Sequence, residues 1–214
     1  MGTPAAGYLL YLVTDAGLSR GRSQAAIVEA AIRGGVTIVQ YREKAATTRR
    51  MIEEAAELLG ICRAAGVPFI VNDRLDVALA VDADGVHVGQ DDLPATIARR
   101  LIGMKKILGV SAGSVDEARR AVDDGADYIG ASPVFSTPTK PDAPPPLGID
   151  GLRVMSRAVS IPVVAIGGIN QGNAAAIMEA GAAGIAVVSA IVGAEDVEAA
   201  ARALRAVLEK VKTR

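Results

Sequence analysis

The segment Ile161-Pro162-Val163-Val164-Ala165-Ile166-Gly167-Gly168-Ile169-Asn170 is the stretch that decides the fold. Its apolar residues stand next to one another instead of alternating with polar residues, and two glycines follow them. Adjacent apolar residues are typical of a parallel strand that is covered on both faces. The segment therefore predicts a buried parallel strand, over residues 161–166, whose carboxyl end carries small and polar residues.

Seven further apolar runs of strand length occur along the chain. They span residues 8–13, 36–40, 67–71, 85–88, 106–110, 126–131 and 184–188. Stretches with helical spacing separate them, and Ser23, Thr47 or Thr48, and Ser114 are suited to cap the helices that follow. Glycines stand where helices should end and strands begin, at Gly34-Gly35, Gly66, Gly125 and Gly181. The chain therefore repeats a βα unit.

Eight strands that alternate with helices predict an α/β protein, either a closed barrel or an open doubly wound sheet. No Gly-x-Gly-x-x-Gly pattern follows the first strand. Polar residues follow nearly every strand, and a barrel gathers such residues on one face. We therefore predict one TIM (β/α)8 barrel domain over residues 1–214, a size that such domains commonly reach.

Composition excludes several classes of partner. The 23 basic and 24 acidic residues show no bias towards nucleic acid, and no apolar stretch is long enough for a membrane span or an export signal. The single cysteine, Cys62, excludes an intramolecular disulfide and suits a reducing compartment. We expect a cytoplasmic protein without nucleic-acid or membrane partners, whose apolar helix faces permit a homo-oligomer.

The second strand runs into a charged segment, Gln40-Tyr41-Arg42-Glu43-Lys44. In extended chain Gln40, Arg42 and Lys44 share one side, whereas Tyr41 and Glu43 point the other way. One side thus carries an amide and two cations, which suits an anionic ligand. The alternative is a strand exit that is simply solvated.

Carboxylates follow the third and fourth strands, as Asn72-Asp73 and Asp91-Asp92. Carboxylates at neighbouring strand ends suit Mg²⁺, which takes one or two of them together with phosphate oxygens and water. Asp73 and Asp92 are the expected ligands, with Asp91 as the competitor. The alternative for Asp92 is an N-cap for the next helix, because Leu93-Pro94 follows it.

The only histidine, His87, lies at an apolar strand position and is predicted to be a packed or hydrogen-bonded structural residue. No second histidine exists for a histidine metal pair, and no Ser-His-Asp arrangement is evident. Ser111 follows the fifth strand as a small donor at the rim.

The second half of the chain is suited to a phosphate. Gly168 and the exit of the last strand at Val188-Ser189 lie where barrels often bind phosphate through backbone N–H groups. The proline-rich loop after the sixth strand adds Thr137, Thr139 and Lys140, two hydroxyls and a cation. A solvated surface loop is the alternative for that segment.

These strand ends predict two anion sites on one face, of which the first is metal-assisted. Clustered cations and Mg²⁺ without an evident nucleophile indicate electrostatic stabilisation of a departing diphosphate.

The strand-end motifs together resemble the thiamine phosphate synthase family. They are Gln40-Tyr41-Arg42-Glu43-Lys44, Asn72-Asp73-Arg74, Gly85-Val86-His87-Val88-Gly89-Gln90-Asp91-Asp92, Gly109-Val110-Ser111, Thr137-Pro138-Thr139-Lys140, Ile166-Gly167-Gly168-Ile169 and Val188-Ser189-Ala190-Ile191, in the family's order. The resemblance implies a TIM barrel that joins a hydroxymethylpyrimidine diphosphate to a thiazole phosphate and releases diphosphate. Where the thiazole phosphate carries a carboxylate, that group is lost in the reaction. It also implies a dissociative reaction through a pyrimidine methyl cation.

The resemblance assigns the residues to roles. It places the pyrimidine substrate on Gln40, Tyr41, Arg42, Glu43, Lys44, Asn72, Ser111 and Lys140, and the thiazole phosphate on Thr137, Pro138, Thr139, Gly168, Val188 and Ser189. It places Mg²⁺ on Asp73 and Asp92, not Asp91. The residues expected to take part in catalysis are Arg42, Lys44, Ser111 and Lys140.

Two positions depart from the family pattern, and two other functions compete with it. Ser132 and Ser136 stand where the family pattern leads us to expect glycine and proline. The related thiazole tautomerases use a histidine just beyond the fifth strand, where Ala112-Gly113-Ser114 has none. A barrel that binds phosphorylated metabolites without turnover is the other rival, and the complete set of diphosphate and metal residues argues against it.

Overall fold

A computed structural model describes residues 5–137 and 145–213 of the chain. Its strands are Leu10–Val13 (β1), Ile38–Tyr41 (β2), Phe69–Asn72 (β3), Gly85–Val88 (β4), Ile107–Ala112 (β5), Tyr128–Ala131 (β6), Val163–Ile166 (β7) and Gly184–Val187 (β8). Its α-helices are Gln24–Arg33 (α1), Thr48–Ala64 (α2), Leu75–Ala80 (α3), Ala95–Ile102 (α4), Val115–Asp123 (α5), Gly148–Ala158 (α6), Ala174–Glu179 (α7), Ser189–Val192 (α8) and Val197–Lys212 (α9).

The eight strands close into a barrel in sequence order. Each strand pairs in parallel with the next, and β8 returns to pair with β1, with Leu10 opposite Ile185. The prediction of a TIM barrel is confirmed, and the open doubly wound sheet is excluded because no strand of the described barrel is left at an edge.

Several strands begin later than the apolar runs predict. Tyr8 ends a 3-10 turn, Ala5–Tyr8, before β1. Pro68 and Pro162 precede β3 and β7 because proline has no N–H to donate. Each still contributes its carbonyl oxygen, which accepts from the backbone N–H of Val39 at 3.0 Å and of Ile129 at 2.9 Å, respectively.

The apolar residues fall into two layers, and successive residues of β7 show why its sequence does not alternate with polar residues. Val163 and Ala165 pack outward against the helices, in the larger cluster. Val164 packs inward, with Tyr11, Ile70 and Tyr128, in the cluster that fills the barrel. Both faces of the strand are buried, as adjacent apolar residues predict.

The predicted helix caps are confirmed. Ser23, Thr47 and Ser114 each accept a hydrogen bond from a backbone N–H three residues later, with Thr47 rather than Thr48 as the cap of α2. The Glu117 carboxylate also accepts from the N–H of Gly113 at 2.7 Å, one residue before the cap. Among the described residues no helix has the length and apolarity needed to cross a bilayer.

Candidate active site

A cleft opens at the carboxyl ends of the strands. Of the residues predicted to bind substrate or metal, it is lined by Gln40, Arg42, Lys44, Asn72, Asp73, Asp92, Ser111, Thr137, Gly168, Val188 and Ser189. Its empty volume is about 1170 Å³ when its open mouth is included.

The exit of β2 shows the predicted alternation. Gln40, Arg42 and Lys44 all face the cleft. Tyr41 is buried on the outer side of the barrel, where its hydroxyl donates to Glu54 Oε2 at 2.8 Å. Glu43 accepts through Oε1 from the N–H of Ala45 at 2.6 Å and shapes the turn after the strand. The side chains of Tyr41 and Glu43 therefore lie outside the cleft that the other three residues line.

Arg42 is held in place from the neighbouring strand exit. Its Nη1 lies 2.8 Å from Asp15 Oδ2, and its backbone N–H donates to Thr14 Oγ1 at 3.0 Å. Both partners directly follow β1. The ion pair is only partly exposed, at 23% for Arg42 and 17% for Asp15, so the guanidinium is oriented before any ligand arrives.

Two carboxylates stand together at the exits of β3 and β4. Burial, reinforced by the neighbouring Asp73 carboxyl, raises the pKa of Asp92. Lys44 places its Nζ 2.5 Å from Asp73 Oδ2. Asp73 has a φ of 60°, the left-handed region that aspartate and asparagine tolerate better than most residues. The pair thus concentrates negative charge and attracts a cation.

The structure separates the two adjacent aspartates after β4. Asp92 lines the cleft and accepts through Oδ2 from the N–H of Gly89 at 2.7 Å. Asp91 is exposed and lies outside the cleft lining. The alternative role of Asp92 as a helix cap is wrong, because α4 begins at Ala95 with Pro94 at its N-cap position.

These carboxylates fit Mg²⁺ better than a metal that needs many protein ligands. In the described part of the chain no group of three or more His, Cys, Asp or Glu side chains is placed to hold a metal. Mg²⁺ commonly takes only one or two carboxylates and completes its shell with substrate phosphate and water. The mutual influence of Asp73 and Asp92 shows that a cation between them would relieve repulsion.

A chain of hydrogen bonds crosses the barrel at the floor of the cleft, and its side chains line that floor. Gln40 Nε2 donates to the Tyr11 hydroxyl at 2.8 Å, and the hydroxyls of Tyr11 and Tyr128 lie 2.8 Å apart. His87 Nδ1 lies 2.8 Å from the Tyr128 hydroxyl, and His87 Nε2 lies 2.9 Å from Ser111 Oγ. We call these five side chains the relay. The prediction that His87 is packed and hydrogen-bonded agrees with this placement.

Burial sets the protonation of the relay. It lowers the pKa of His87 from 6.5 to about 4, so the imidazole is neutral near pH 7. Burial likewise raises the pKa of Tyr11 and Tyr128, so both keep their protons. The sequence reasoning assigned neither tyrosine to the site. Both tyrosines lie in apolar strands and resemble ordinary core residues. The only sign in the sequence of another role is the hydroxyl group that each would bring to the inside of the barrel.

The half of the barrel formed by β6, β7 and β8 carries the predicted phosphate groups. Gly167 and Gly168 follow β7 with φ of 103° and 63°. A Cβ on Gly168 would lie 2.7 Å from the carbonyl oxygen of Ser136, so only glycine lets the two segments approach. β8 ends at Val187, one residue earlier than the predicted end at Val188. Val188 therefore follows the strand and precedes Ser189 at the start of α8.

The loop after β6 is fastened to the β7 exit. Val134 and Phe135 donate their backbone N–H groups to the carbonyl oxygens of Ile166 and Gly167 at 2.9 and 3.1 Å. Thr137 lines the cleft. The other predicted residues of this loop, Pro138, Thr139 and Lys140, lie outside the described residues.

Comparison with known proteins agrees with the family resemblance. The model of the thiamine monophosphate synthase family matches residues 10–191. The thiamine-phosphate synthase of Chloroflexus aurantiacus is 69% identical over 199 residues, which are 93% of this chain and 92% of that protein. The Moorella thermoacetica enzyme of the same name is 52% identical and covers 95% and 97%.

Solved structures agree as well. The thiamine phosphate pyrophosphorylase of Pyrococcus furiosus superposes with a TM-score of 0.91 at 44% identity, over 98% of this chain and 99% of that one. A 3-hexulose-6-phosphate synthase, at 21% identity and a TM-score of 0.66, shares the fold alone. The chain therefore belongs to the thiamine monophosphate synthase family and is an enzyme, a transferase of thiamine biosynthesis.

Proposed function

We propose that this chain condenses 4-amino-2-methyl-5-hydroxymethylpyrimidine diphosphate with a thiazole phosphate, in its plain or carboxylated form, to give thiamine phosphate and diphosphate, with CO2 as a further product of the carboxylated form. The supporting observation is that one cleft collects both halves of the required chemistry. The exits of β2, β3 and β4 supply Arg42, Lys44 and the Asp73–Asp92 pair, and the exits of β7 and β8 supply Gly168 and Ser189.

The charged half of the cleft suits the diphosphate. Arg42, oriented by Asp15, presents a guanidinium that matches phosphate geometry. Lys44 lies on the same face and bridges to Asp73, so it brings its positive charge to the point where diphosphate and metal would meet. Lys140, outside the described residues, is proposed as a further cation for the leaving group. Mg²⁺ on Asp73 and Asp92 would neutralise charge on the departing diphosphate.

The bond changes follow from this arrangement. The C–O bond between the pyrimidine methylene and the diphosphate breaks, and the diphosphate leaves with the electron pair. The resulting pyrimidine methyl cation then accepts the lone pair of the thiazole nitrogen, which forms the C–N bond. Val164, Ile166 and Ile169 line the cleft with apolar surface and exclude water that would trap the cation.

The geometry does not support the tautomerase alternative. Thiazole tautomerases use a histidine beyond the fifth strand, and here that position holds Ala112-Gly113-Ser114. The one histidine, His87, is buried with both ring nitrogens hydrogen-bonded, which leaves it unsuited to proton transfer with a substrate.

A coupled assay tests the proposal. Purified protein with Mg²⁺ and both substrates should release diphosphate and form thiamine phosphate, detected by mass spectrometry. Omitting the thiazole phosphate should abolish or greatly slow the release of diphosphate. Binding of both phosphate esters without formation of thiamine phosphate would refute the synthase assignment and favour a binding protein.

The same proposal covers location and partners. We propose that the enzyme works in the cytoplasm on small-molecule substrates, for which the buried free thiol of Cys62 is suited. Sedimentation would test whether it assembles as a homo-oligomer.

A further inference from the structure

The position of each proton along the relay can be worked out from the Gln40 end. Because Gln40 Nε2 donates to Tyr11, the Tyr11 oxygen acts as acceptor there. Tyr11 is 1% exposed, and the acceptor within reach of its own proton is the Tyr128 oxygen at 2.8 Å. The opposite orientation would leave a buried hydroxyl proton without an acceptor, which is unfavourable. Tyr11 therefore donates to Tyr128.

The remaining links take the same direction. The Tyr128 proton goes to His87 Nδ1, so the neutral imidazole carries its proton on Nε2. Nε2–H then donates to Ser111 Oγ. Ser111 receives a hydrogen bond from below, and its own proton is available to the cleft that it lines. At the other end, Gln40 commits an N–H to Tyr11 and keeps its carbonyl oxygen as an acceptor.

Two glycines leave the space that the relay needs. Gly109 pairs with His87 on one side and with Tyr128 on the other. A Cβ on Gly109 would lie 2.3 Å from the Tyr128 hydroxyl oxygen and 2.4 Å from His87 Nδ1. A Cβ on Gly130 would lie 3.0 Å from His87 Cε1. The barrel is thus shaped around the contact between the tyrosine and the histidine.

We propose that Tyr11, Tyr128 and His87 are positioning residues that hold Gln40 as a hydrogen-bond acceptor and Ser111 as a donor towards the pyrimidine. This polarity matches a ring with a donor near Gln40 and an acceptor near Ser111. A 4-aminopyrimidine offers both, as an exocyclic amine and a ring nitrogen. The 4-oxo pyrimidine carries an acceptor oxygen in place of the amine. Two acceptors, this oxygen and the Gln40 carbonyl oxygen, would then face each other without a proton between them.

The proposal rests on the proposed function, since it assumes that a pyrimidine occupies the cleft. It adds that specificity for the amine is set from inside the barrel by residues that do not touch the substrate's reacting atoms. Gln40 and Ser111 are also coupled, because reversing donor and acceptor in one hydrogen bond of the relay reverses them in the hydrogen bond at its other end.

The sole histidine makes the tautomer directly measurable. In ¹⁵N-labelled wild-type protein without a histidine tag, long-range ¹H–¹⁵N spectra report one imidazole only. We expect the Nε2-protonated neutral tautomer near pH 7. Detection of the Nδ1-protonated tautomer or of the imidazolium would overturn the proposal without reference to any substrate, and no substitution is needed.

Substitution tests the consequence for specificity. Tyr128→Phe keeps the ring and removes the hydroxyl that joins Tyr11 to His87. The ratio of kcat/KM for the 4-amino over the 4-oxo pyrimidine diphosphate should fall about tenfold or more, and the single tautomer should give way to a mixture. Tyr11→Phe, which cuts the relay one link earlier, should lower the same ratio and serves if Tyr128→Phe does not fold.

Thr37→Val is the matched control. It removes a hydroxyl that bonds the backbone N–H and carbonyl of Leu10 at the amino end of the barrel. Its tautomer and its specificity ratio should equal those of the wild type. A folded Tyr128→Phe enzyme with an unchanged ratio would refute the relay, whereas a wild-type enzyme that forms no thiamine phosphate would refute the proposed function instead.

Discussion

Replacing Asp73 by asparagine should separate the function of the site from the stability of the fold. Asp73 has a φ of 60° and pairs with Lys44, whose side chain is 57% exposed. Such an exposed ion pair contributes about 0–1 kcal/mol. Asparagine tolerates the left-handed conformation, and its neutral amide relieves the repulsion on Asp92. We therefore expect the free energy of unfolding to change by about 0.5 kcal/mol or less.

Activity should respond differently. The substitution removes one of two carboxylates at the proposed Mg²⁺ site and the partner that holds Lys44. We expect kcat/KM to fall at least about 100-fold, which corresponds to about 2.7 kcal/mol of lost transition-state stabilisation. Diphosphate release measures the rate, and urea unfolding without Mg²⁺ measures the stability.

Two controls sharpen the comparison. Asp73→Ala should lose an additional 1–2 kcal/mol or so of stability, because alanine at positive φ is strained. Asp91→Asn changes an exposed aspartate outside the cleft and should leave the rate near that of the wild type. A rate within a few-fold of wild type for Asp73→Asn, at saturating Mg²⁺, would refute the assignment of Asp73 to the metal site.

Three further substitutions or conditions give measurable outcomes. Lys140→Ala should cut turnover by about 100-fold, if the ammonium stabilises the leaving group, with an unchanged far-UV circular dichroism spectrum; a near-normal rate would remove Lys140 from the mechanism. Gly109→Ala should lower the free energy of unfolding in urea by about 1–3 kcal/mol, because the added Cβ clashes with Tyr128. Gly60→Ala in α2 should raise it by about 0.5–1 kcal/mol, because the Cβ added there meets nothing within 4 Å. Because burial lowers the pKa of His87 to about 4, the unfolded chain binds a proton between pH 4 and 6.5 that the folded chain does not. Stability should therefore be fully present above pH 6.5 and fall by about 3 kcal/mol towards pH 4, and a His87→Gln variant that shows the same fall would contradict this origin.

Sequence patterns predicted the parts of the structure that depend on local periodicity. Adjacent apolar residues such as Val163 and Val164 indicated strands buried on both faces, and both faces are buried. Alternation after β2 placed Gln40, Arg42 and Lys44 on one side, and these three line the cleft. In both cases the backbone geometry of an extended chain decides the outcome.

The relay was beyond such patterns because it depends on strand register. Tyr11, His87 and Tyr128 come from three strands, and each resembles a core residue when considered alone. Their contact requires Gly109 to stand opposite both His87 and Tyr128, a pairing that no single segment encodes. The starts of β1 and β7 were predicted two residues too early for a related reason, since the apolar run begins before the first residue of each strand.

Closure of β8 onto β1 has a consequence for synthesis on the ribosome. Tyr11 stands near the start of the relay, and Ser189 follows the strand that pairs beside it, almost 180 positions later in the chain. Until β8 emerges, β1 presents unpaired N–H and carbonyl groups along one side, an edge open to wrong partners. The last strand made thus completes the cleft and also protects the nascent protein from aggregation.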